Sequence, residues 1–405
     1  MTHESPIQRV ERALERLATG GIVIVVDDFN RENEGDFVAV SELATHETIN
    51  FMATHGRGLI CQPITAARAG ELDLPAMAER NTDYNGTAFT VSVDHASCTT
   101  GISAYERAVT VRALVDPGTT AQDLKRPGHI FPLVAQARGV FDRRGHTEAS
   151  VDLARLAGFE PSGVICEIMN EDGSMARLPQ LEKVAERHDL PILSVEDVVR
   201  YRDSIGDVHV QRHGTASLPT RYGNFRISTY TSDDPASGEV VLLESSTPPA
   251  TGAAPLVRVH SECLTGEAFA SARCDCGPQL DTALERIGRE GGALVYLKQE
   301  GRGIGLIEKI RAYALQDEGM DTVEANLALG HQADGRRFGA AAAVLREVGY
   351  SRVRLLTNNP EKVRAVEGSG IDVVAREDLT VGITQENRPY LAAKIAKFGH
   401  VIQGV

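Results

Sequence analysis

The sequence contains no apolar run long enough to span a membrane, and its first twenty residues lack the hydrophobic segment of a signal peptide. Cysteine is also scarce, with six in 405 residues, and three of these are clustered. A disulfide framework would need more cysteines in a shorter chain, so we expect reduced thiols. These absences predict a cytoplasmic protein with no membrane partner.

Basic residues do not outnumber acidic ones, since 42 Lys and Arg stand against 56 Asp and Glu, for a formal net charge of −14. Binding to nucleic acid is driven by basic faces that displace counterions, so we expect no nucleic acid partner. Low-complexity tracts are missing as well. The content of 42% hydrophobic and 24% charged residues is typical of a soluble globular enzyme.

Helical and strand patterns alternate along the chain, and a length of 405 residues favours two domains. Residues 204–220, SIGDVHVQRHGTASLPT, break the periodicity with Gly, Ser, His and Pro, and they are the predicted junction. We therefore predict a mixed α/β (α+β) fold made of two unrelated αβ domains in tandem, residues 1–205 and 206–405. Each domain should be a mixed sheet packed with helices.

The stretch RVHSECLTGEAFASARCDCG holds Cys263, Cys274 and Cys276 at the spacing C-x10-C-x-C. Two sulfurs from cysteines two residues apart can reach one metal ion from a turn, and the ten-residue excursion is long enough to add a third. A structural zinc site closes with four protein ligands, which His260 or another residue could complete, whereas a catalytic site keeps one position open. The spacing predicts zinc and leaves both kinds of site open.

Two turns downstream of the cysteines are suited to anions. The strand GGALVYL runs into QEGRGIGL, where glycines around Arg302 let a backbone approach phosphate oxygens before a helix begins. After the strand RVRLL, Asn359 is the predicted N-cap of another helix, with Thr357 and Lys362 beside it. A glycine-rich turn alone is weak evidence, since most such turns bind nothing.

Asp334 and Arg336 lie between these turns in the polar stretch LGHQADGRRFG, for which a solvated loop is the simpler interpretation. Their occurrence together with a predicted zinc site and a set of basic and glycine residues favours a chemical role, because zinc acidifies a bound water and arginine absorbs phosphoryl charge. The combination indicates metal-assisted hydrolysis of a phosphorylated ligand.

The motifs RVHSECLTG, RCDCG, QEGRGIGL, KIRAYALQD, DTVEAN and LLTNNPEK, spread over about residues 215–400, resemble GTP cyclohydrolase II. The resemblance implies that Cys263, Cys274 and Cys276 hold zinc, and that Asp334 is a proton acceptor. It further implies that Arg336 acts on the α-phosphate and that Tyr313 assists opening of the guanine ring. The implied GTP-binding residues are Arg258, Val259, His260, Ser261, Glu262, Gln279, Glu300, Gly301, Arg302, Thr322, Thr357 and Lys362.

The first half contains VVDDFNRENEGDF, residues 25–37, a stretch crowded with carboxylates directly after an apolar strand. Such crowding favours a bound cation, and oxygen ligands suit Mg²⁺ or Mn²⁺, although an isolated acidic run is usually a solvated turn. RRGHTEAS places Arg143, His146 and Thr147 where a loop enters a helix, which suits a phosphate. Glu167 lies inside the apolar strand GVICEIM, where a carboxylate needs a partner.

The stretches DDFNRENEGD, GLICQPIT, NGTAFTVSVD, TTGISA, RPGHIFPL, RRGHTEA and CEIMNEDGSMA resemble 3,4-dihydroxy-2-butanone 4-phosphate synthase over about residues 5–203. This resemblance implies that Glu32 and His146 bind Mg²⁺, which Mn²⁺ could replace. The groups implied to act near the reacting carbons are Glu34, Cys61, His129 and Glu167. The residues implied to bind ribulose 5-phosphate are Arg31, Glu32, Asp36, Arg143, Arg144, Gly145, His146, Thr147 and Glu167.

Together the two resemblances predict a bifunctional enzyme of riboflavin biosynthesis that acts on ribulose 5-phosphate and GTP as a homodimer. Two alternatives stay open at this point. In the first, only one half turns over and the other is kept as a scaffold; in the second, the C-terminal half is a zinc-stabilised nucleotide sensor without chemistry.

Overall fold

The structure is a computed structural model that describes residues 4–28, 31–402 and 404. The chain divides into two compact units, Met1–Tyr201 and Arg202–Val405. Each unit contains one mixed sheet with helices packed on it, as the sequence predicts. Within the described residues, no helix combines the length and the apolar character needed to cross a bilayer.

The first unit is built around a sheet whose strand order is β4-β5-β3-β6-β2-β1-β7. Its strands are β1 Val23–Val26, β2 Gly35–Val40, β3 Cys61–Ile64, β4 Val93–His95, β5 Leu124–Val134, β6 Gly163–Glu167 and β7 Ile192–Ser194. Its helices are α1 Pro6–Ala18, α2 His46–Phe51, α3 Ala66–Glu71, α4 Ala104–Val115, α5 His146–Leu156, α6 Leu178–His188 and α7 Val195–Ser204.

Strand β2 explains why acidic side chains gather at one end of this sheet. All six of its residues are buried, since it has a neighbour on each side in β1 and β6. Its antiparallel register with β6 places Asp36 opposite Glu167. The start of β2 and the end of β6 therefore bring two carboxylates together at the edge where the acidic loop enters the sheet.

The second unit has the strand order β14-β13-β11-β12-β10-β9-β8. Its strands are β8 Val210–Thr220, β9 Gly223–Ser232, β10 Glu239–Ser245, β11 Leu256–Ser261, β12 Gly292–Leu297, β13 Arg352–Leu356 and β14 Asp372–Glu377. Its helices are α8 Leu264–Glu267, α9 Cys276–Glu290, α10 Gly305–Asp317, α11 Thr322–Ala328, α12 Gly339–Glu347, α13 Pro360–Gly368 and α14 Arg388–Phe398.

Strands β11, β12 and β13 run parallel, so their carboxyl ends meet at one edge of the sheet. The segments that follow them are the cysteine stretch, the Gly-rich turn and the turn capped by Asn359. Ligands of parallel sheets bind outside the carboxyl ends of the strands. The topology therefore unites three motifs that are up to a hundred residues apart in sequence.

The predicted junction at residues 204–220 is instead mostly strand β8, Val210–Thr220, which pairs antiparallel with β9. The broken periodicity of this stretch has a physical reason. β8 is an edge strand with one neighbour, and most of its side chains are exposed, so its sequence shows no apolar alternation. The second sheet thus begins at Val210, within the predicted junction.

Two candidate active sites

Three cysteines come together at the carboxyl end of β11. Cys263 precedes the short helix α8, while Cys274 and Cys276 lie at the start of α9, and their sulfur atoms all lie within 4.8 Å of one another. The Sγ atoms of Cys263 and Cys274 are 3.6 Å apart. Gly266 makes room for the cluster, because a Cβ there would lie 2.7 Å from the Cys274 sulfur.

The donor set fits a zinc ion with an open position. Within the described residues, the group of possible ligand atoms at this spacing consists of the three sulfurs alone. His260, the alternative fourth ligand, instead places Nε2 2.9 Å from Glu267 Oε1. Burial lowers the pKa of His260 to about 4, so its ring is neutral. The geometry therefore favours the catalytic type of zinc site over the structural type.

Lys309 of α10 supplies positive charge beside the sulfurs. Its Nζ donates to Cys263 Sγ at 3.2 Å, to Thr265 Oγ1 at 2.9 Å and to Glu300 Oε1 at 2.7 Å. Hydrogen bonds from the neighbouring thiols, together with Lys309, lower the pKa of Cys263 and favour its thiolate. A thiolate is the form that binds a metal ion.

A cavity opens beside the sulfurs and brings together several of the predicted GTP-binding residues. Those that line it are Ser261, Glu262, Glu300, Gly301, Arg302, Thr322, Tyr313 and Arg336. Tyr313 OH lies 3.3 Å from Thr265 Oγ1, close to the sulfur cluster. Gly301 and Arg302 both have a φ of 63°, so the Gly-rich turn folds sharply at the cavity wall.

Asp334 and Arg336 form a buried ion pair at this cavity. Arg336 Nε and Nη2 donate to the Asp334 carboxylate at 2.9 and 2.5 Å, and Arg302 Nη1 donates to it at 3.3 Å. Burial raises the pKa of Asp334, but Arg336 and then Arg302 outweigh it and lower the pKa to about 2. Asp334 is therefore ionised and held by two guanidinium groups.

A second cavity adjoins the first, and Ser261, Cys276 and Arg336 line both. Arg258, His260, Gln279, Thr357 and Lys362, which sequence motifs assign to GTP, also line it. These residues are positioned by the carboxyl ends of β11 and β13 and by the start of α9. The predicted GTP-binding residues thus line two adjoining cavities, except Val259, which is fully buried in β11.

Arg258 and Lys362 are buried cations whose hydrogen-bond acceptors are neutral. Arg258 donates to Leu356 O at 2.9 Å and Gln279 Oε1 at 2.7 Å, while Lys362 donates to Val259 O at 2.9 Å. Neither forms an ion pair within the described part of the chain. Burial lowers the pKa of Arg258 to about 10. The pKa of Lys362 is also lowered, first by burial and then by the positive charges of Arg258, Arg336 and Lys394. An anion would relieve this unfavourable burial.

In the first unit, Asp27, Glu32 and His146 form a group of possible metal ligands where the acidic loop meets α5. One ligand atom from each falls within 4.8 Å of the others. Asp27 is not among the ligands that the family resemblance implies. Its carboxylate accepts hydrogen bonds from the backbone N–H of Glu32 at 3.1 Å and of Glu34 at 2.9 Å, so it also shapes the loop.

Two buried atoms of this site have no hydrogen-bond partner among the described residues: Asp36 Oδ1 and His146 Nε2. Burial raises the pKa of Asp36 to about 7, with His146 acting in the opposite direction. Burial also lowers the pKa of His146, but Asp36, Glu32 and Asp27 outweigh it and raise the pKa to about 9. Unpartnered acidic and imidazole atoms at this spacing fit a divalent cation.

The predicted phosphate seat lies at the N-terminus of α5. A Cβ on Gly145 would meet Arg143 Nη1 at 2.5 Å and Arg31 Nη2 at 3.0 Å, so two guanidinium groups flank this backbone. Thr147 is buried in the first turn of the same helix. Arg144 is different, because its side chain is 44% exposed and pairs with Glu196. The structure therefore brings Arg31, Arg143 and Thr147 together and leaves Arg144 at the surface.

Glu167 and Cys61 lie near Asp36, whereas His129 has another partner. Glu167 Oε2 accepts from Leu59 N at 2.8 Å. Burial raises the pKa of the Cys61 thiol, and the negative charges of Glu167 and Asp36 raise it further. The thiol is therefore protonated at neutral pH. His129 Nδ1 lies 2.8 Å from Asp94 Oδ2. His129 is thus oriented by a carboxylate for which the sequence assigns no role.

Two further residues, Arg177 and Lys309, support the sites but have no signal in the sequence, because their role depends on contacts between distant segments. Arg177 Nη1 donates to Glu32 O at 2.7 Å and to Asn33 O at 2.5 Å, and it lies 3.5 Å from Glu34 Oε1. It therefore fixes the acidic loop from the segment that precedes α6. Lys309 is similar, since helical spacing alone does not show that it faces the cysteines.

Comparisons with known proteins match each half of the chain to a family. A family model described as 3,4-dihydroxy-2-butanone 4-phosphate synthase matches residues 11–201, and one described as GTP cyclohydrolase II matches residues 211–378. The chain is 52% identical to "Riboflavin biosynthesis protein RibBA" of Bacillus cereus and of Bacillus mycoides, covering 97% of this chain and 99% of each relative. A solved structure of RibBX, a two-domain 3,4-dihydroxy-2-butanone 4-phosphate synthase from A. baumannii, is 34% identical, with a TM-score of 0.57 and coverage of 92% of this chain and 100% of that one.

Proposed function

The chain belongs to the bifunctional riboflavin biosynthesis family that joins 3,4-dihydroxy-2-butanone 4-phosphate synthase to GTP cyclohydrolase II, and from this premise we propose which residues perform each reaction. The enzyme combines a lyase and a hydrolase activity. Residues 1–205 would carry the lyase site and residues 206–405 the hydrolase site. One observation carries the second assignment: a three-sulfur cluster borders a cavity, and this cavity adjoins buried cations that form no ion pair with any residue the structure describes.

In the C-terminal site, Cys263, Cys274 and Cys276 would hold Zn²⁺. The ion, when bound, supplies a water whose pKa is lowered toward neutrality and a Lewis acid for the purine. Arg258 and Lys362 bind phosphate oxygens of GTP in the second cavity, which leaves the guanine beside the sulfurs. Formate, pyrophosphate and a diaminopyrimidine ribosyl phosphate are the expected products.

Arg336 links the phosphate end to the proton acceptor. It lines both cavities and pairs with Asp334, so a phosphate in the second cavity competes with that carboxylate for the same guanidinium. When Arg336 turns toward the phosphate, Asp334 loses its main stabilising charge and its pKa rises. Asp334 therefore becomes a better base only after GTP is bound. Tyr313 faces the same cavity and would orient the opening guanine ring.

In the N-terminal site, Arg31, Arg143 and Thr147 would bind the phosphate of ribulose 5-phosphate at the start of α5. Glu32 and His146, together with Asp27, would hold Mg²⁺ or Mn²⁺, an ion that polarises the ketone when bound. Asp36 and Glu167 lie opposite each other beside these ligands, and they are placed to exchange protons α to the carbonyl. Glu34 and His129 are the further acid/base candidates.

The test is formate release, measured separately from GTP and from ribulose 5-phosphate on the purified full-length chain. We expect both substrates to yield formate and chelation to stop both reactions. Readdition of Zn²⁺ should restore GTP hydrolysis, and Mg²⁺ the other activity. GTP binding without formate would instead support a nucleotide sensor.

A second possibility, that one half alone is active, is favoured by RibBX, which has two domains but is named for the synthase activity. It predicts formate from ribulose 5-phosphate and none from GTP under all metal conditions. Activity with both substrates contradicts it.

Lys362→Met should raise the KM for GTP by roughly 10- to 100-fold, because a charge-assisted contact to phosphate is lost. The melting temperature should be unchanged or higher, since the variant removes a buried cation that has no ion-pair partner within the described residues. Lys298→Met, at a half-exposed lysine paired with Glu239, is the matched control. A normal KM for GTP in Lys362→Met contradicts the phosphate assignment.

We also propose that the chain forms a homodimer and works in the cytoplasm, where thiolate ligands stay reduced. Exposed apolar side chains on α10 and α11 support an interface, since Ile307 is 73% and Leu327 57% exposed. Light scattering after gel filtration should give the dimer mass at working concentrations. A monomer that is fully active with both substrates contradicts the dimer.

A further inference from the structure

The cationic cavity has a wall that comes from the C-terminal end of the chain. Tyr390, Lys394 and His400 line it, and Tyr390 also lines the cavity beside the cysteines. All three follow residue 378, where the match to the GTP cyclohydrolase II family model ends. They lie in or just after α14, and none of the motifs above includes them.

Lys394 is tied to the cysteine loop. Its side chain is 10% exposed, its Nζ donates to Asp275 Oδ1 at 2.7 Å, and it lies 4.4 Å from the centre of the Tyr390 ring. Asp275 stands between Cys274 and Cys276, and its other oxygen accepts from Gln279 Nε2 at 2.6 Å. The ion pair therefore connects α14 to the segment that carries two of the three sulfurs, and it places an ammonium group at the cavity.

His400 contributes a buried ring nitrogen to this cavity. Its Nε2 is buried and has no hydrogen-bond partner among the described residues, and the same is true of Ser261 Oγ in the same cavity. The following residue is fixed, since Val401 N donates to Asn358 O at 3.0 Å. A buried polar atom without a partner is costly, so a ligand atom is expected there.

The charges around these residues indicate which ligand fits. Arg258, Arg336, Lys362 and Lys394 all border one cavity, while Asp275 and Asp334 are each already paired with a cation. The four cations outnumber the two carboxylates, so the cavity carries an excess of positive charge that is shielded from solvent. A polyphosphate, with several charged oxygens in a row, matches this arrangement better than a single carboxylate.

We propose that the C-terminal segment 388–400 is part of the nucleotide site, with Lys394 and His400 binding the phosphate chain. Lys394 has a second role as a positioning residue, because its pair with Asp275 orients the cysteine loop relative to the bound phosphates. The inference rests on the proposed GTP site and extends it to residues outside the matched family region.

Inorganic triphosphate is the probe, because its binding reports on the cavity whether or not GTP is hydrolysed. Calorimetry on the full-length protein compares the wild type with Lys394→Met, His400→Ala and the control Lys397→Met. Lys397 lies on the same helix and pairs with Asp321 at the surface. We expect the Kd to rise roughly 10- to 100-fold in Lys394→Met and several-fold in His400→Ala, and to stay unchanged in the control.

Lys394→Arg should restore most of the affinity, since it keeps the charge. An unchanged melting transition of the second unit checks that each variant is folded, and formate release from ribulose 5-phosphate, whose site lies in the first unit, checks the amount of intact chain. A Kd in Lys394→Met equal to the wild-type value overturns the inference, and so does wild-type protein that does not bind triphosphate. Triphosphate binding without GTP hydrolysis would instead overturn the proposed function and leave the phosphate site intact.

Discussion

Replacing Cys274 with serine is expected to reduce formate release from GTP by about a thousandfold or more. A metal ion contributes several kcal/mol of transition-state stabilisation, and each 1.4 kcal/mol is a factor of ten in rate. Cys274 is one of three sulfurs that lie within 4.8 Å of one another, and a hydroxyl is a much weaker ligand for Zn²⁺ than a thiolate. The bound zinc, measured by elemental analysis, should fall well below one ion per chain.

The same variant provides its own internal control. Formate release from ribulose 5-phosphate should stay near the wild-type level, because Asp27, Glu32 and His146 lie in the first unit. Cys98→Ser is the matched substitution at a buried cysteine whose sulfur contacts Thr110 and Glu106. It should leave both activities and the zinc content unchanged. Full GTP hydrolysis in a zinc-free Cys274→Ser protein would contradict the assignment.

Glu32→Gln is expected to have the opposite pattern and to reduce formate release from ribulose 5-phosphate by about a hundredfold or more. The substitution keeps the size of the side chain and removes the charge that faces His146 at 3.7 Å. The divalent cation loses a charged ligand, and the apparent affinity for Mg²⁺ in the assay should fall with the rate. GTP hydrolysis should be unaffected.

Raising the Mg²⁺ concentration should restore part of the Glu32→Gln activity, which separates a lost metal ligand from a lost proton-transfer group. Glu71→Gln, at an exposed residue paired with Arg68, is the control. If Glu32→Gln retains wild-type kcat and an unchanged Mg²⁺ requirement, Glu32 is not a ligand. In that case Asp27 and His146 would have to hold the ion without it.

The local parts of both sites can be predicted from the sequence. Asn359 caps α13 and Pro360 begins it, because the capping side chain and the proline act within one turn. The spacing of Cys263, Cys274 and Cys276 likewise predicts a metal cluster, since a turn and a short helix suffice to bring their sulfurs together. The fold class follows from the alternation of helical and strand patterns.

Contacts between distant segments cannot be obtained in this way. His260 lies three residues before Cys263 in the sequence, yet its Nε2 contacts Glu267 Oε1. Arg177 reaches the acidic loop from about 145 residues away in sequence. Such contacts depend on strand order, which periodicity does not determine.

The buried cations show a further limit of sequence patterns. Arg258 and Lys362 read as ordinary basic residues, and only their burial beside neutral acceptors shows that the folded chain carries unfavourable charge. An enzyme can retain such unfavourable buried charge where a bound ligand neutralises it. The burial of these cations is a property of the fold, which local motifs alone cannot reveal.

Zinc K-edge X-ray absorption on the purified, zinc-loaded protein tests the C-terminal site most directly. We expect three sulfur neighbours at about 2.3 Å and one oxygen neighbour at about 2.0 Å, with no imidazole in the shell. The oxygen would be a water, which leaves the place for a reacting group. Four protein ligands, either four sulfurs or three sulfurs and a histidine nitrogen, would show a closed structural site and contradict the proposed hydrolysis of GTP.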